Sequence, residues 1–432
     1  MIRSIKIQYS SLFASSTMRS LSLLLSANIL NGVIGFVTSV LVLRYVDKEV
    51  IAVIYPLISI LMIVGQFGDM GLSNSFIKIA SFHYLDDRIR SFQFFNAAFK
   101  LKLFLCFLLM VIGIPLAPLI AKWTFGQAIH VNWVRLILCV TSLQIISSYG
   151  SAALQVEGKF RSLSASKVIP SLLKMAMIGI VVWLGMANLS MIFWAFALVP
   201  ISTLFLTFYY TDKRPLHEIK STTPQLSELF HVSKWVALSV LANAIMGQLD
   251  VLMTSSMAGV DELNRLLGGQ KLASVFTILS ISLVTVLLPK VSSMKSRKEL
   301  NYFQRKTIQI MLPLAALSLI LLPLSTYFIP FLLGDKYRSS IEIFNILMIG
   351  NIIGIATTPL GLILYNLNKE STFAMLNIVQ LIFNAAGNYL FIPSYGATGA
   401  SWITAAAKLI AVAMIYYQLW KEGILNYKEE KQ

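Results

Sequence analysis

Long apolar runs recur from one end of the chain to the other, separated by short polar and basic clusters. A helix that crosses a bilayer needs about 20 mostly apolar residues. Twelve stretches meet that requirement, at approximately 21–43, 50–68, 94–121, 133–155, 164–184, 188–210, 231–257, 266–289, 307–331, 341–364, 372–392 and 396–420. The connections between them are too short for a soluble domain, and the longest, about 211–230, divides the chain near its middle. The second run closes on Gly68-Asp-Met-Gly-Leu-Ser-Asn-Ser, whose glycines and polar residues predict a broken or re-entrant end.

Composition supports a membrane solvent. Of the 432 residues 57% are hydrophobic and 12% are charged, whereas soluble domains carry about 25% charged residues. The net charge of +16 does not signal a nucleic-acid partner, because the basic residues form no single patch. They lie in clusters between the apolar runs, where they set topology. With the N-terminus inside, the cytoplasmic loops and flanks hold 26 Lys and Arg, including Lys102, against 8 on the opposite side, including Arg265 and Lys271. That asymmetry predicts an even number of spans with both termini cytoplasmic. Residues 1–20 are polar and basic with no small-residue cleavage site, so no cleaved signal peptide is expected.

The two halves resemble one another. Ser26-Ala-Asn-Ile-Leu-Asn-Gly-Val-Ile-Gly matches Ser239-Val-Leu-Ala-Asn-Ala-Ile-Met-Gly, aligning Asn31 with Asn243 and Gly35 with Gly247. Leu154-Gln-Val-Glu-Gly-Lys159 matches Leu364-Tyr-Asn-Leu-Asn-Lys369 at nearly the same offset. The expected fold is therefore an all-α integral membrane protein of about twelve transmembrane helices in two pseudo-symmetric six-helix lobes. The lobes would cover residues 1–210 and 231–432, joined by a cytoplasmic linker at 211–230. Because six is even, the repeats are parallel, and transporters place their path between such halves.

Polar groups inside lipid are costly and usually face a cavity or a partner helix. At helical spacing they form stripes: Asn28, Asn31, Gly35 and Thr38; Lys167, Ser171 and Lys174; Ser239, Asn243 and Asp250; Asn377, Gln380, Asn384 and Asn388; Ser401, Thr404 and Lys408. The amide and hydroxyl stripes serve either interhelical hydrogen bonding or substrate contact. Asn31, Asn243, Asn377 and Asn384 are the substrate-cavity candidates among them. Lys174 and Lys408 lie too far inside their spans to snorkel easily. They suit an anionic substrate group such as phosphate or, equally, a structural ion pair with Asp250. Asp250 is also the candidate for ion coupling, since a carboxylate in a cavity titrates with its surroundings. Prolines within most spans supply kinks, and Trp123, Trp133, Tyr327, Tyr416, Tyr417 and Trp420 read as interfacial anchors.

Signatures of catalysis are missing. There is no P-loop, no Gly-x-Ser-x-Gly and no His-Glu-x-x-His, and the four histidines do not cluster. No catalytic residue, metal or cofactor is expected, and an ion gradient would supply the driving force. Cys106 and Cys139 both sit in apolar runs and are expected to be small buried hydrophobes.

Four stretches carry a family resemblance: Gln66-Phe-Gly-Asp-Met-Gly-Leu-Ser-Asn-Ser, Ala153-Leu-Gln-Val-Glu-Gly-Lys-Phe, Lys234-Trp with Gln248-Leu-Asp250, and Leu287-Leu-Pro-Lys290. With them the chain resembles, over nearly its whole length, the Wzx-type O-antigen flippases. These belong to the multidrug/oligosaccharidyl-lipid/polysaccharide (MOP) superfamily. The resemblance implies movement of a polyprenyl-pyrophosphate-linked glycan repeat unit across the bacterial cytoplasmic (inner) membrane by alternating access. It implies H+ or Na+ coupling at the position of Asp250. Membrane lipids, a polysaccharide polymerase and a chain-length regulator are the implied partners. The alternative is a MATE-like drug or cation antiporter of the same superfamily. The intramembrane lysines count against a cationic cargo, and a glycosyltransferase or polymerase would need large catalytic loops that this chain lacks.

Overall fold

The computed structural model describes residues 16–84, 87–214, 223–292, 294, 296–366 and 370–424. The N-terminal tail, the middle of the 211–230 connection, Lys369 and the side chains of Lys234, Ser239 and Lys290 lie outside the described residues. The described chain is almost entirely helical, without strands. Its helices are α1 (Ser16–Tyr45), α2 (Lys48–Asp69), α3 (Leu72–Tyr84), α4 (Arg88–Leu108), α5 (Ile114–Phe125), α6 (Val131–Val156), α7 (Phe160–Trp183), α8 (Leu189–Tyr210), α9 (Thr223–Met257), α10 (Gly259–Ser292), α11 (Arg297–Leu319), α12 (Leu321–Leu333), α13 (Ser340–Asn366) and α14 (Glu370–Lys421).

All twelve expected segments fall on these helices. Among the described residues, seven helical stretches are long and apolar enough to cross a bilayer. The last of them, Met375–Lys421, holds two expected segments, because α14 bends sharply at Gly396 (φ 53°). Leu321–Leu333 and Ser340–Gly354 are shorter apolar helices. Their outer surfaces carry large bare side chains such as Phe107, Trp183, Phe205 and Tyr327. Such a surface is at home against acyl chains and a liability in water.

Local chemistry explains the breaks. The α4–α5 span passes through a π-helical turn, Leu109–Gly113, just before Pro115. Proline has no N–H and crowds the carbonyl four residues back, so the ladder widens there. The Asn188 side chain accepts the Met191 N–H at 3.0 Å and starts α8. Ser296 and Glu299 bond each other's backbone N–H groups in a capping box that opens α11. After α2 the chain breaks, as its glycines and polar residues predict. Met70 (φ 44°) and Gly71 (φ 67°) form a left-handed corner, and α3 resumes at Leu72.

Helix packing repeats between the halves. In the first half α1 packs on α7, α2 on α6, and α6 on α8. In the second half α9 packs on α14, α10 on α13, and α13 on α14. This is the duplication expected from the sequence, realised as two six-helix lobes.

The apolar core shows where the lobes meet. One large cluster combines Val46, Ile51 and Phe193 of the first half with Val251, Leu263, Leu333 and Tyr337 of the second. Polar contacts reinforce this end: Arg44 Nη1 donates to Phe331 O at 2.5 Å, Asn264 Nδ2 to Lys48 O at 3.0 Å, and Lys336 Nζ to Val46 O at 3.0 Å. Burial at this seal pushes the Lys336 ammonium below the ordinary lysine range. Toward the opposite end the core divides. Phe76, Phe95 and Tyr149 form one cluster with Leu229 of α9, while Leu300, Leu364 and Leu419 form another. One core spans both halves at the end bearing residues 44–48; toward the other end the described buried residues fall into two clusters, and α9 bridges to the first half through Leu229 and through Gln225, whose Nε2 donates to Gln93 Oε1 at 2.8 Å.

Candidate functional site

Two polar cavities lie beside the interface. The one in the second half, about 400 Å³, is lined by Gln248, Gln270, Lys271, Ser274, Asn351 and Lys408, among others. It belongs to α9, α10, α13 and α14. Gly350 of α13 lets α14 pack closely, since a Cβ there would stand 3.0 Å from Ala405 Cα, and the Lys408 stem runs alongside. The Lys408 ammonium donates to Asn351 Oδ1, and Asn351 Nδ2 donates to Ala273 O at 3.0 Å. Lys408 therefore points inward, as its position in the span required.

Lys271 shares this cavity. Its ammonium sits 4.9 Å from the ring centroid of Tyr55 on α2. Lys174 of α7 sits 5.1 Å from the ring of Phe196, and Tyr55 meets Phe196 edge-on at 6.5 Å. One lysine from each half thus flanks a shared aromatic pair. Cation–π contact holds an ammonium without neutralising it, so these charges stay available to an anion.

Asp250 is not the partner of Lys174. It is buried between α9 and the two arms of α14, where Asn388 Nδ2 donates to it at 2.7 Å and Thr404 Oγ1 at 2.5 Å. Asn388 also donates to Asn384 Oδ1 at 3.1 Å. Among the described residues, Asn388 Oδ1 and Thr254 Oγ1 are buried without a hydrogen-bond partner. Lys408 lies one helical turn beyond Thr404 on α14. The result is an oxygen-rich nest around one carboxylate, with neutral donors on one side and a cation beyond.

The other candidates scatter. Asn31 accepts a hydrogen bond from Ser171, and Asn28 accepts one from Lys167 at 3.2 Å. Asn31 thus ties α1 to α7 as an interhelical contact. Asn377 is buried in the first arm of α14. Asn243 is exposed on α9, on the helix face between Val240 and Gly247, which line the two cavities. Cys106 is buried, but Cys139 is exposed on the lipid-facing side of α6, since an apolar run has an outer face as well as an inner one.

Sequence reasoning missed two features. Lys271 was counted as a loop-flanking charge, although it lies inside the 266–289 run with Ser274 one turn on. Lys102 was counted likewise, yet it is fully buried in α4. Its ammonium bonds Asp69, Ser73 Oγ at 2.9 Å and Ser148 Oγ at 2.6 Å. The acidic residue at the end of the second span was the available signal, since a carboxylate there needs a cation.

Comparison with known proteins agrees with this architecture. A comparison with curated proteins finds no match. Among solved structures, the chain is similar to the lipid II flippase MurJ in an inward closed conformation. The TM-score is 0.71 and the identity 16%, over 93% of this chain and 89% of that one. It is also similar to an inward-facing MATE-family multidrug resistance transporter of the MOP superfamily, with TM-score 0.75 and identity 14% over 95% and 99% of the two chains. A third is a MOP-superfamily transporter from Pyrococcus furiosus described as having a binding pocket of reverse polarity, with TM-score 0.60 and identity 13% over 95% and 96%. These likenesses establish the fold. The family model for polysaccharide biosynthesis proteins matches residues 44–342, most of the length, and the chain belongs to that family.

Proposed function

We propose that the protein is a flippase that carries a polyprenyl-diphosphate-linked oligosaccharide, an O-antigen or related surface-polysaccharide unit, across the bacterial cytoplasmic membrane. The observation that carries this reading is the set of Lys174, Lys271 and Lys408 in and beside the second-half cavity, where Lys271 meets Tyr55 of the first half. Buried cations need a counter-charge, and a diphosphate supplies one while its glycan crosses. The same lysines oppose a cationic drug. Residues 1–210 and 231–432 act as the two lobes, with 211–230 as the cytoplasmic linker. With both termini cytoplasmic, as the basic-residue asymmetry favours, the end at 44–48, where one core spans both halves, is periplasmic and the opposite end receives substrate. Alternating access then consists of opening the first and closing the second.

Asp250 couples the cycle to H+ or Na+. Its carboxylate and the surrounding oxygens of Asn384, Asn388 and Thr404 offer hard donors, and α14 contributes three of them from both sides of its bend. Cation binding there would draw the two arms together, a route from ion occupancy to lobe shape.

Complementation of a flippase-deficient strain tests the reading. Lys271→Ala and Lys408→Ala should each lower surface polysaccharide roughly ten- to hundredfold at normal protein levels, the effect of losing one charged hydrogen bond of about 1.5–3 kcal/mol. Full activity in both variants would remove the cationic cavity from the mechanism.

A further inference from the structure

The second polar cavity, about 520 Å³, lies in the first half between the ends of α2, α3 and α6. Its volume falls within the range of about 300–1,000 Å³ typical of small-ligand sites. Its chemistry differs from that of the lysine-lined cavity. Gln66, Asn74, Gln144 and Gln155 face it from the three helices, together with the Ser151 hydroxyl. Among the described residues, none of these four side-chain amides hydrogen-bonds to the rest of the protein. They are not among the sealed, unpartnered buried atoms either, so they stand open to the cavity. Gln144 crosses directly over Gly65, where an added Cβ would come within 3.3 Å of its Nε2.

Among the described residues, the one acid–base pair at this site is closed on itself. The Asp69 carboxylate, which also lines the cavity, accepts from Lys102, from Ser73 at 2.5 Å and from Ser148 at 3.3 Å, all on Oδ1. Lys167, also in the lining, donates to Asn28. A phosphate only accepts hydrogen bonds and would find one cation in the lining, Lys167, against four amides whose acceptor oxygens it could not use. A sugar hydroxyl both donates and accepts. Each amide offers one acceptor oxygen and two N–H donors, so a wall of unspent amides matches a hydroxyl-rich ligand.

We infer that this cavity is the glycan subsite of the transporter: it holds neutral sugar residues of the cargo through Gln66, Asn74, Gln144 and Gln155 while the lysine cavity holds the diphosphate. The inference rests on the flippase reading. The two lobes then read different parts of one substrate, and the first half sets selectivity for the sugar.

Native mass spectrometry in nanodiscs tests it with two probes, a polyprenyl diphosphate without sugar and the same lipid bearing a neutral N-acetylhexosamine disaccharide. The wild type should prefer the glycosylated lipid. Gln144→Leu should weaken that lipid about tenfold and leave the bare lipid unchanged. Asn74→Ala, at an exposed position on α3 that folding does not need, should act in the same direction more weakly. Lys271→Ala should weaken both lipids equally. If both amide variants keep the wild-type preference, or if the wild type shows none, the glycan subsite is refuted while the flippase reading stands. If the wild type binds neither lipid, the flippase reading fails and the subsite with it.

Discussion

The two polar cavities treat buried charge differently. In the first, Lys102 and Asp69 neutralise each other inside a ring of serine hydroxyls, and the amides around them are left unspent. In the second, Lys271 and Lys408 meet aromatic and amide groups that hold but do not neutralise them, and the buried carboxylate of Asp250 is bonded to neutral donors instead. A duplicated fold thus carries an ion pair beside one cavity and unpaired lysines in the other. The backbone repeat survives because helix packing tolerates such changes in side-chain chemistry.

The largest expected effect breaks the ion pair. Lys102→Ala leaves Asp69 without its cation and should destabilise the protein by about 3–5 kcal/mol. The measurement is thermal unfolding in detergent, and Lys102→Ala combined with Asp69→Leu should recover most of the loss. An unchanged melting temperature in the single variant would show that the pair does not hold the lobe. In the second half, Thr404→Val removes one hydrogen bond to the Asp250 carboxylate. It should cost about 1.5–3 kcal/mol of ion-dependent stabilisation, read as a smaller melting shift between sodium-containing and sodium-free buffer at several pH values. Asp250→Asn should abolish that shift altogether; a shift that persists would move the coupling site elsewhere. The smallest effect belongs to the seal. Lys48 and Asp261 pair at 3.0 Å with Asp261 largely exposed, and Lys48→Ala should change stability by less than about 1 kcal/mol.

Much of the fold was legible because lipid imposes a simple rule. Every spanning segment must satisfy its own backbone, so apolar length alone located twelve helices. The kink at Gly396 and the corner at Met70 were less so, since they depend on backbone geometry that hydropathy does not encode. At the sites, Lys408 and Asp250 stood out because each lies deep in a run with no local partner. Lys271 and Lys102 escaped notice because they lie nearer the edges of theirs, where a lysine ordinarily snorkels to water. Only packing shows that both turn inward. Pairing across the lobes was equally hidden: the sequence allowed Asp250 to meet Lys174, and the bend of α14 gave its carboxylate to Asn388 and Thr404.

The most direct test is translocation in proteoliposomes of a fluorescent polyprenyl-diphosphate-linked oligosaccharide under an imposed ion gradient. Wild-type protein should expose the label to an external quencher within minutes, and Lys271→Ala/Lys408→Ala should leave it protected at the level of protein-free vesicles. Equal exposure by the double variant and the wild type would contradict the claim that unneutralised charge in the second-half cavity carries the substrate.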